Sequence, residues 1–187
     1  MTLQQQKQAL RKQIRNQMKQ IPDAYFHLAG QAMCRRVLES QDYRQAKTIF
    51  CFVSHGKEPS TYPLLEQALA DGKKLCIPLC KAPGEMDAKV IRSLTELQPG
   101  AYGIPEPPGN AETILPSEID LAVIPCLTAA KNGKRLGKGG GYYDRFLSEY
   151  TGKAVLLCPE RLLLRDIPTE PHDVQLPKVI TENAEQL

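Results

Sequence analysis

The apolar residues Leu3, Leu10, Ile14, Met18 and Ile21 share one narrow stripe at about 100° per residue, which predicts an amphipathic helix over Leu3–Ile21. Lys7, Arg11 and Arg15 climb beside that stripe. Pro22-Asp23 reads as a break and an N-cap, and "AYFHLAGQAMCRRVLES" as a second helix. The pattern then alternates. "KTIFCFVS" is a buried strand, "TYPLLEQALADG" a helix closed by Gly72, "KKLCIPLC" a strand and "MDAKVIRS" a shorter one. "AYGIPEPPGN" is a proline- and glycine-rich loop, "IDLAVIPCLTA" a buried strand, "GYYDRFLSEY" a helix, "KAVLLCP" a strand and "KVIT" a short last one. Strands alternating with helices predict an α/β layered domain with a largely parallel sheet behind two N-terminal helices. No internal repeat or low-complexity linker divides the chain, so residues 1–187 are expected to form a single domain.

Composition narrows the class. A chain of 187 residues with 42% hydrophobic side chains can bury a full core without staples. No apolar run reaches the roughly eighteen residues of a membrane span, and "MTLQQQKQALRKQIRNQMKQ" lacks the apolar segment of a secretory signal, so no membrane association and a cytoplasmic location are expected. The cysteines Cys34, Cys51, Cys76, Cys80, Cys126 and Cys158 sit mostly in apolar runs with no CxxC pair, which predicts reduced core thiols and no zinc site. Histidines His27, His55 and His172 are scattered.

The formal net charge of +3 is mild but unevenly spread. Lys7, Arg11, Lys12, Arg15 and Lys19 precede any acid, and Lys131, Lys134, Arg135, Lys138 and Arg145 face Asp144 alone. A nucleic-acid surface would need interleaved exposed aromatics and a more strongly basic balance, so no nucleic-acid partner is expected.

The second basic region contains "GKRLGKGGGYYDRFL". It is not a P-loop, since Gly137-Lys138 runs into Gly139, nor a dinucleotide fingerprint, since Tyr142 stands where glycine is needed. It follows the strand Ile119–Cys126 by a short loop and runs into a helix, at a carboxyl end of the sheet where ligands bind. Gly137, Gly139, Gly140 and Gly141 would let backbone N–H groups converge in front of a helix N-terminus, which suits phosphate oxygens. Lys134, Arg135 and Lys138 would add charge, and Asp144 could hold magnesium directly or through water. The plainer alternative is a glycine turn with solvated lysines and Asp144 as an acid in a first helical turn. Tyr142 and Tyr143 could each pack inward or stack on a flat ligand.

The motif closely resembles the signature of the 5-formyltetrahydrofolate cyclo-ligases, also called methenyltetrahydrofolate synthetases. "KQALR", "FVSHGKEPST", "YGIPEP" and "PHDVQLPKVIT" are similar to further family segments in the family's order, over nearly the whole chain. The resemblance implies a three-layer α/β sandwich like that of sugar-phosphate isomerases and CoA transferases. It implies ATP- and Mg2+-dependent conversion of 5-formyltetrahydrofolate to 5,10-methenyltetrahydrofolate, with ADP and phosphate released, by a monomer acting on small-molecule substrates. It assigns ATP to Lys7, Gln8, Ala9, Leu10 and Arg11, and to Lys134, Arg135, Leu136, Gly137, Lys138, Gly139, Gly140, Gly141, Tyr142 and Tyr143. Magnesium falls to Asp144 and Asp173, the folate to Val53, Glu58 and Tyr102, and catalytic roles to Arg135, Lys138 and Glu58. Lys57 and Pro59 depart from the family pattern around Glu58, and His172 is assigned nothing. The alternative functions are a sugar-phosphate isomerase or acyl transferase on the same kind of sheet, or a nucleic-acid-binding module.

Overall fold

The computed structural model describes residues 1–183 and 185–186. Helix α1, Leu3–Lys19, starts from a capping box in which Thr2 and Gln5 exchange side-chain-to-backbone hydrogen bonds of 3.2 and 2.9 Å. It ends two residues before the predicted Ile21, where the Lys57 ammonium donates to the carbonyls of Met18 (3.0 Å) and Ile21 (2.6 Å). Helix α2, Asp23–Glu39, has Pro22 rather than Asp23 at the cap position, and a short α3, Gln41–Gln45, extends the pair.

Strand β1, Thr48–Cys51, leads to α4, Tyr62–Ala70, and β2, Lys74–Ala82. Strand β3, Glu85–Ile91, returns antiparallel to β2 because the two-residue turn Pro83-Gly84 is too short for a crossover. Strands β4, Gln98–Pro99, just before the predicted loop, and β5, Pro105–Glu106, within it, pair as a small ribbon. Next come β6, Thr113–Ile114, and β7, Leu121–Pro125. Strand β8, Thr128–Ala130, and β9, Arg135–Leu136, form a hairpin ahead of α5, Tyr142–Glu149. The chain continues through β10, Lys153–Leu157, β11, Leu163–Leu164, β12, Val179–Ile180, and β13, Glu185–Gln186.

The main sheet has eight strands in the order β13-β12-β10-β7-β1-β2-β3-β6. The run β12-β10-β7-β1-β2 is parallel, and antiparallel strands flank it on both sides. The sheet is therefore parallel in its centre and mixed at its margins.

Side chains alternate across that centre. Ile49, Leu75, Leu121 and Val155 pack with Met33, Val37, Leu64 and Leu65 of α2 and α4. Phe50, Cys76, Ile124 and Leu156 pack on the opposite face with Ile14 of α1 and Phe146 and Leu147 of α5. Helices thus cover both faces of the layered α/β domain that the alternating pattern predicts, in the three layers that the resemblance implies. The first crossover places β2 on one side of β1 and the chain later returns to lay β7 on the other, so the order switches at β1 and β7. Their carboxyl ends diverge into a crevice.

Candidate active site

That crevice is a cleft of about 710 Å³, lined by Phe52 and Val53 beyond β1, Pro125 and Cys126 at the end of β7, one side of α1, and residues 135–144. The two basic regions of the sequence, some 130 positions apart, meet here. Arg11 donates from Nε to the Gly137 carbonyl (3.0 Å), and Arg15 from Nη2 to the Lys138 carbonyl (3.3 Å). Helix α1 is thereby tied to the glycine loop. Burial, followed by the charge of Arg15, draws the Arg11 guanidinium below its ordinary pKa, and the charges of Asp173, Asp144 and Glu170 offset this only in part.

The glycine loop opens the mouth of the site. Gly139 and Gly141 take φ values of 108° and 73°, and Gly141 caps α5, so the helix presents its first turn to the cleft. The preceding hairpin changes what the motif does. Arg135 lies on β9, its side chain 3% exposed, and pairs through Nη2 with Asp144 Oδ1 at 2.6 Å. Its Nη1 reaches the Pro125 carbonyl at 3.4 Å, while its buried Nε has no hydrogen-bond partner among the described residues. The guanidinium also lies 5.8 Å over the ring of Tyr143. Tyr143 packs inward near Phe50, and burial, then the Glu58 carboxylate, holds its phenol well above the usual value.

The other end of the cleft is more apolar, with Phe52, Val53, Pro78, Met86, Tyr102 and Ile104 in its lining. Glu58 sits between the two ends, its side chain 7% exposed. Its Oε2 accepts the His55 N–H (2.8 Å) and its Oε1 pairs with Lys138 at 2.5 Å. Neighbouring Lys57 turns away to the end of α1.

Carboxylates form a third group. Lys7 Nζ bonds Glu170 (2.8 Å) and, more closely, Asp173. Burial pulls the Lys7 ammonium down, but the hydrogen bonds and charges of Asp173 and Glu170 outweigh it and leave the pKa raised. Burial pushes Asp173 up, yet Lys7, the Glu170 N–H and His172 together hold it below the ordinary carboxylate value. Glu170, His172 and Asp173 offer ligand atoms within 4.8 Å of one another. The carboxylates of Glu170 and Asp173, with that of Asp144 in the same cleft, are hard oxygen donors of the kind Mg2+ takes. The pair with Arg135 engages Asp144 through Oδ1, and Lys7 engages Asp173 through Oδ2, so the other oxygen of each carboxylate would be the one to hold a metal ion.

Most of the residues singled out from sequence converge on this cleft: Lys7, Gln8, Arg11, Arg135–Tyr143, Asp144, Asp173, Val53, Glu58 and Tyr102 all line it. Three do not. Ala9 lies exposed on another face of α1, and Leu10 packs into the core beneath that helix. Lys134, on the turn before β9, pairs with Asp166 at 2.6 Å and adds no charge to the cleft. On α1 only residues on the side facing the cleft can line it, so Ala9 and Leu10 point elsewhere, whereas the loop and helix start from Arg135 to Asp144 line it without a break. Sequence reasoning missed Arg15, Glu106 and Glu170. Arg15 was legible from its four-residue step beyond Arg11, whereas the two glutamates carry no local signal.

A family model described as the 5-formyltetrahydrofolate cyclo-ligase family matches residues 3–182. The 5-formyltetrahydrofolate cyclo-ligase of Haemophilus influenzae is 30% identical over 92% of this chain and 95% of its own. That of Mycolicibacterium smegmatis is 31% identical over 94% of this chain and 93% of its own. Among solved structures, the 5,10-methenyltetrahydrofolate synthetase of Aquifex aeolicus superposes with a TM-score of 0.86 at 23% identity, covering 96% of this chain and 91% of that one.

Proposed function

The chain belongs to the 5-formyltetrahydrofolate cyclo-ligase family and converts 5-formyltetrahydrofolate to 5,10-methenyltetrahydrofolate; we propose that it does so in this cleft, with ATP as co-substrate and Mg2+ as cofactor. We further infer that residues 1–187 act as one catalytic unit, a monomer in the cytoplasm without nucleic-acid or membrane partners. The reading includes a likeness of the sheet to those of sugar-phosphate isomerases and CoA transferases. Six free cysteines favour a reducing compartment, and no described helix is long and apolar enough to cross a membrane. Lys7, Arg11 and Arg15 of the first basic region and Arg135 and Lys138 of the second line one concave site, which suits a phosphate-bearing small molecule better than a nucleic acid.

The chemistry asks for such a site. Ring closure requires nitrogen 10 to attack the formyl carbon and the formyl oxygen to depart, and oxide is a very poor leaving group. If that oxygen first attacks the γ-phosphorus of ATP and ADP departs, the oxygen later leaves as phosphate while nitrogen 10 loses its proton. The protein's part is positioning and charge stabilisation. Arg11, Arg15 and Lys138 face the polyphosphate beside the glycine-loop N–H groups, and Arg135 holds Asp144 in place. Magnesium, held by Asp144 and Asp173, would neutralise charge on the phosphate oxygens. Glu58, between the two ends of the cleft, orients the folate ring, with Val53 and Tyr102 against its faces.

The observation that carries this reading is the cleft itself, cationic and glycine-rich at one end and apolar around a buried carboxylate at the other. Purified protein should form the methenyl chromophore from 5-formyltetrahydrofolate only when ATP and Mg2+ are both present. No absorbance change with active folate in hand would sink the proposal.

A further inference from the structure

Tyr102 is the one non-glycine residue with positive φ among the described residues, at φ 60° and ψ 19°. The residue is 74% exposed, so packing of its side chain does not impose that backbone. A bulky side chain disfavours the left-handed region, so the hydrogen bonds of the turn must hold it there: the Gly100 N–H donates to the Ile104 carbonyl (3.0 Å) and the Ile104 N–H to the Ala101 carbonyl (3.1 Å). Glu106 on β5 then fixes the turn to the sheet. Its Oε2 accepts the N–H of Ala101, the neighbour of Tyr102, at 3.0 Å, and its Oε1 accepts the N–H of Cys80 on β2 at 3.0 Å.

Both ends of this clamp have a physical reason. The pairing of β1 with β2 stops at Phe50 and Cys76, so beyond that point β2 has no neighbour on the β1 side to receive the Cys80 N–H. The glutamate supplies the acceptor. At the other end the turn passes so close that a Cβ on Gly100 would collide with the Glu106 carboxylate. The result carries the Tyr102 hydroxyl across the mouth of the cleft to within 3.3 Å of the Tyr142 hydroxyl, on the first residue of α5.

We propose that Glu106 is a positioning residue for the folate substrate: its carboxylate clamps the Tyr102 turn to β2, so that Tyr102 and Tyr142 meet over the apolar end of the cleft and cover the bound folate. The inference rests on the reading that the folate occupies that end. Both carboxylate oxygens of Glu106 are engaged by backbone N–H groups, so it acts through Tyr102 and not on the reacting atoms.

Steady-state kinetics of Glu106→Gln, Tyr102→Ala and the double variant test it. A glutamine turns an NH2 toward one of the two N–H donors and breaks the clamp. Glu106→Gln should raise KM for 5-formyltetrahydrofolate about tenfold, with kcat and KM for ATP changed less than about twofold. Tyr102→Ala should raise the folate KM similarly, and adding Glu106→Gln to it should do nothing more, because both act through one ring. Gly100→Ala, which crowds the same carboxylate, should reproduce the Glu106→Gln split and serves if that variant folds poorly. Additive effects in the double variant, an equal rise in KM for ATP, or an unchanged folate KM in Tyr102→Ala would each overturn the proposal. A wild-type protein that makes no methenyl product would instead overturn the functional reading.

Discussion

Lys138 Nζ lies 2.5 Å from Glu58 Oε1, an ion pair that joins the glycine loop to the loop after β1 across the mouth of the cleft. The partners are unequal: the lysine side chain is 53% exposed and the glutamate 7%. The lysine can swing toward a phosphate at little cost, whereas a buried carboxylate left without a partner is destabilising. Nucleotide that draws Lys138 away therefore binds best when folate is present to hydrogen-bond Glu58.

The two substrates should accordingly bind with positive coupling. A non-hydrolysable ATP analogue should bind wild-type protein about tenfold more tightly with folate present than without it, and Lys138→Met should erase the difference. Calorimetric titrations check this; equal affinities for the wild type in both conditions would refute it.

Arg135 and Asp144 form the least exposed charged contact of the glycine-loop region, and neither can be removed quietly. Arg135→Ala and Asp144→Asn should each lower kcat by roughly a hundred- to a thousandfold or more in a protein that still folds, with a lowered melting temperature because each leaves its buried partner unpaired. Asp144→Asn should also raise the Mg2+ concentration needed for half-maximal rate. Lys131→Ala, on an exposed turn outside the cleft, should leave activity near normal. Near-normal turnover in either of the first two variants would remove that residue from the mechanism.

The ties from Lys7 to Asp173 and Glu170 should make α1 docking depend on pH. The depressed Asp173 contributes stability that is complete above its ordinary pKa of about 4 and is lost as pH falls through the lower native value. The raised Lys7 contributes stability that is complete below its ordinary value of about 10.4 and is lost only at higher pH. Melting temperatures of wild type and Lys7→Met should therefore differ most between about pH 5 and 9 and converge as pH falls below about 4. A difference that does not narrow in acid would show that the pair contributes nothing.

Cys80 lines the cleft, but burial, followed by its contacts with Glu106, pushes its thiol up to about 11. At pH 8 only about one molecule in a thousand carries the thiolate, so iodoacetamide should modify Cys80 slowly, about tenfold faster per pH unit until about pH 11. Peptide mass mapping reads the rate. Fast stoichiometric labelling at neutral pH would contradict this environment.

Ile14 is fully buried under α1. Ile14→Ala should cost about 2–5 kcal/mol of stability by denaturant unfolding. Because Lys7, Arg11 and Arg15 ride on the same helix, KM for ATP should rise as well. A destabilised variant with an unchanged KM would show that these cations do not depend on how α1 is seated.

The architecture was readable where the signal is local. The stripe from Leu3 to Ile21 marked α1 to within two residues, and the buried runs around Ile49, Leu75, Val123 and Val155 marked the four strands at the sheet's centre. The glycine motif and Asp144 announced the cleft at a carboxyl end of the sheet, because glycine freedom, cations and a following helix are written in adjacent positions. The β8–β9 hairpin was not readable: its strands are three and two residues long, too short for a periodicity to show. Nor was the direction of β3, which depends on a two-residue turn rather than on the strand's own pattern.

The sequence by itself determined the long helices and the central strands, that they form layers, and that a glycine-rich stretch with cations follows a strand, since each follows from spacing along the chain. Only the tertiary structure decided that Lys138 meets Glu58, that Lys134 turns away to Asp166, that Lys7 pairs with Asp173, and that Glu106 fixes Tyr102. Charged side chains are long and their partners distant in sequence, so each pairing is selected by how layers pack and where strands end. Packing is a property of the whole chain, and no local pattern encodes it.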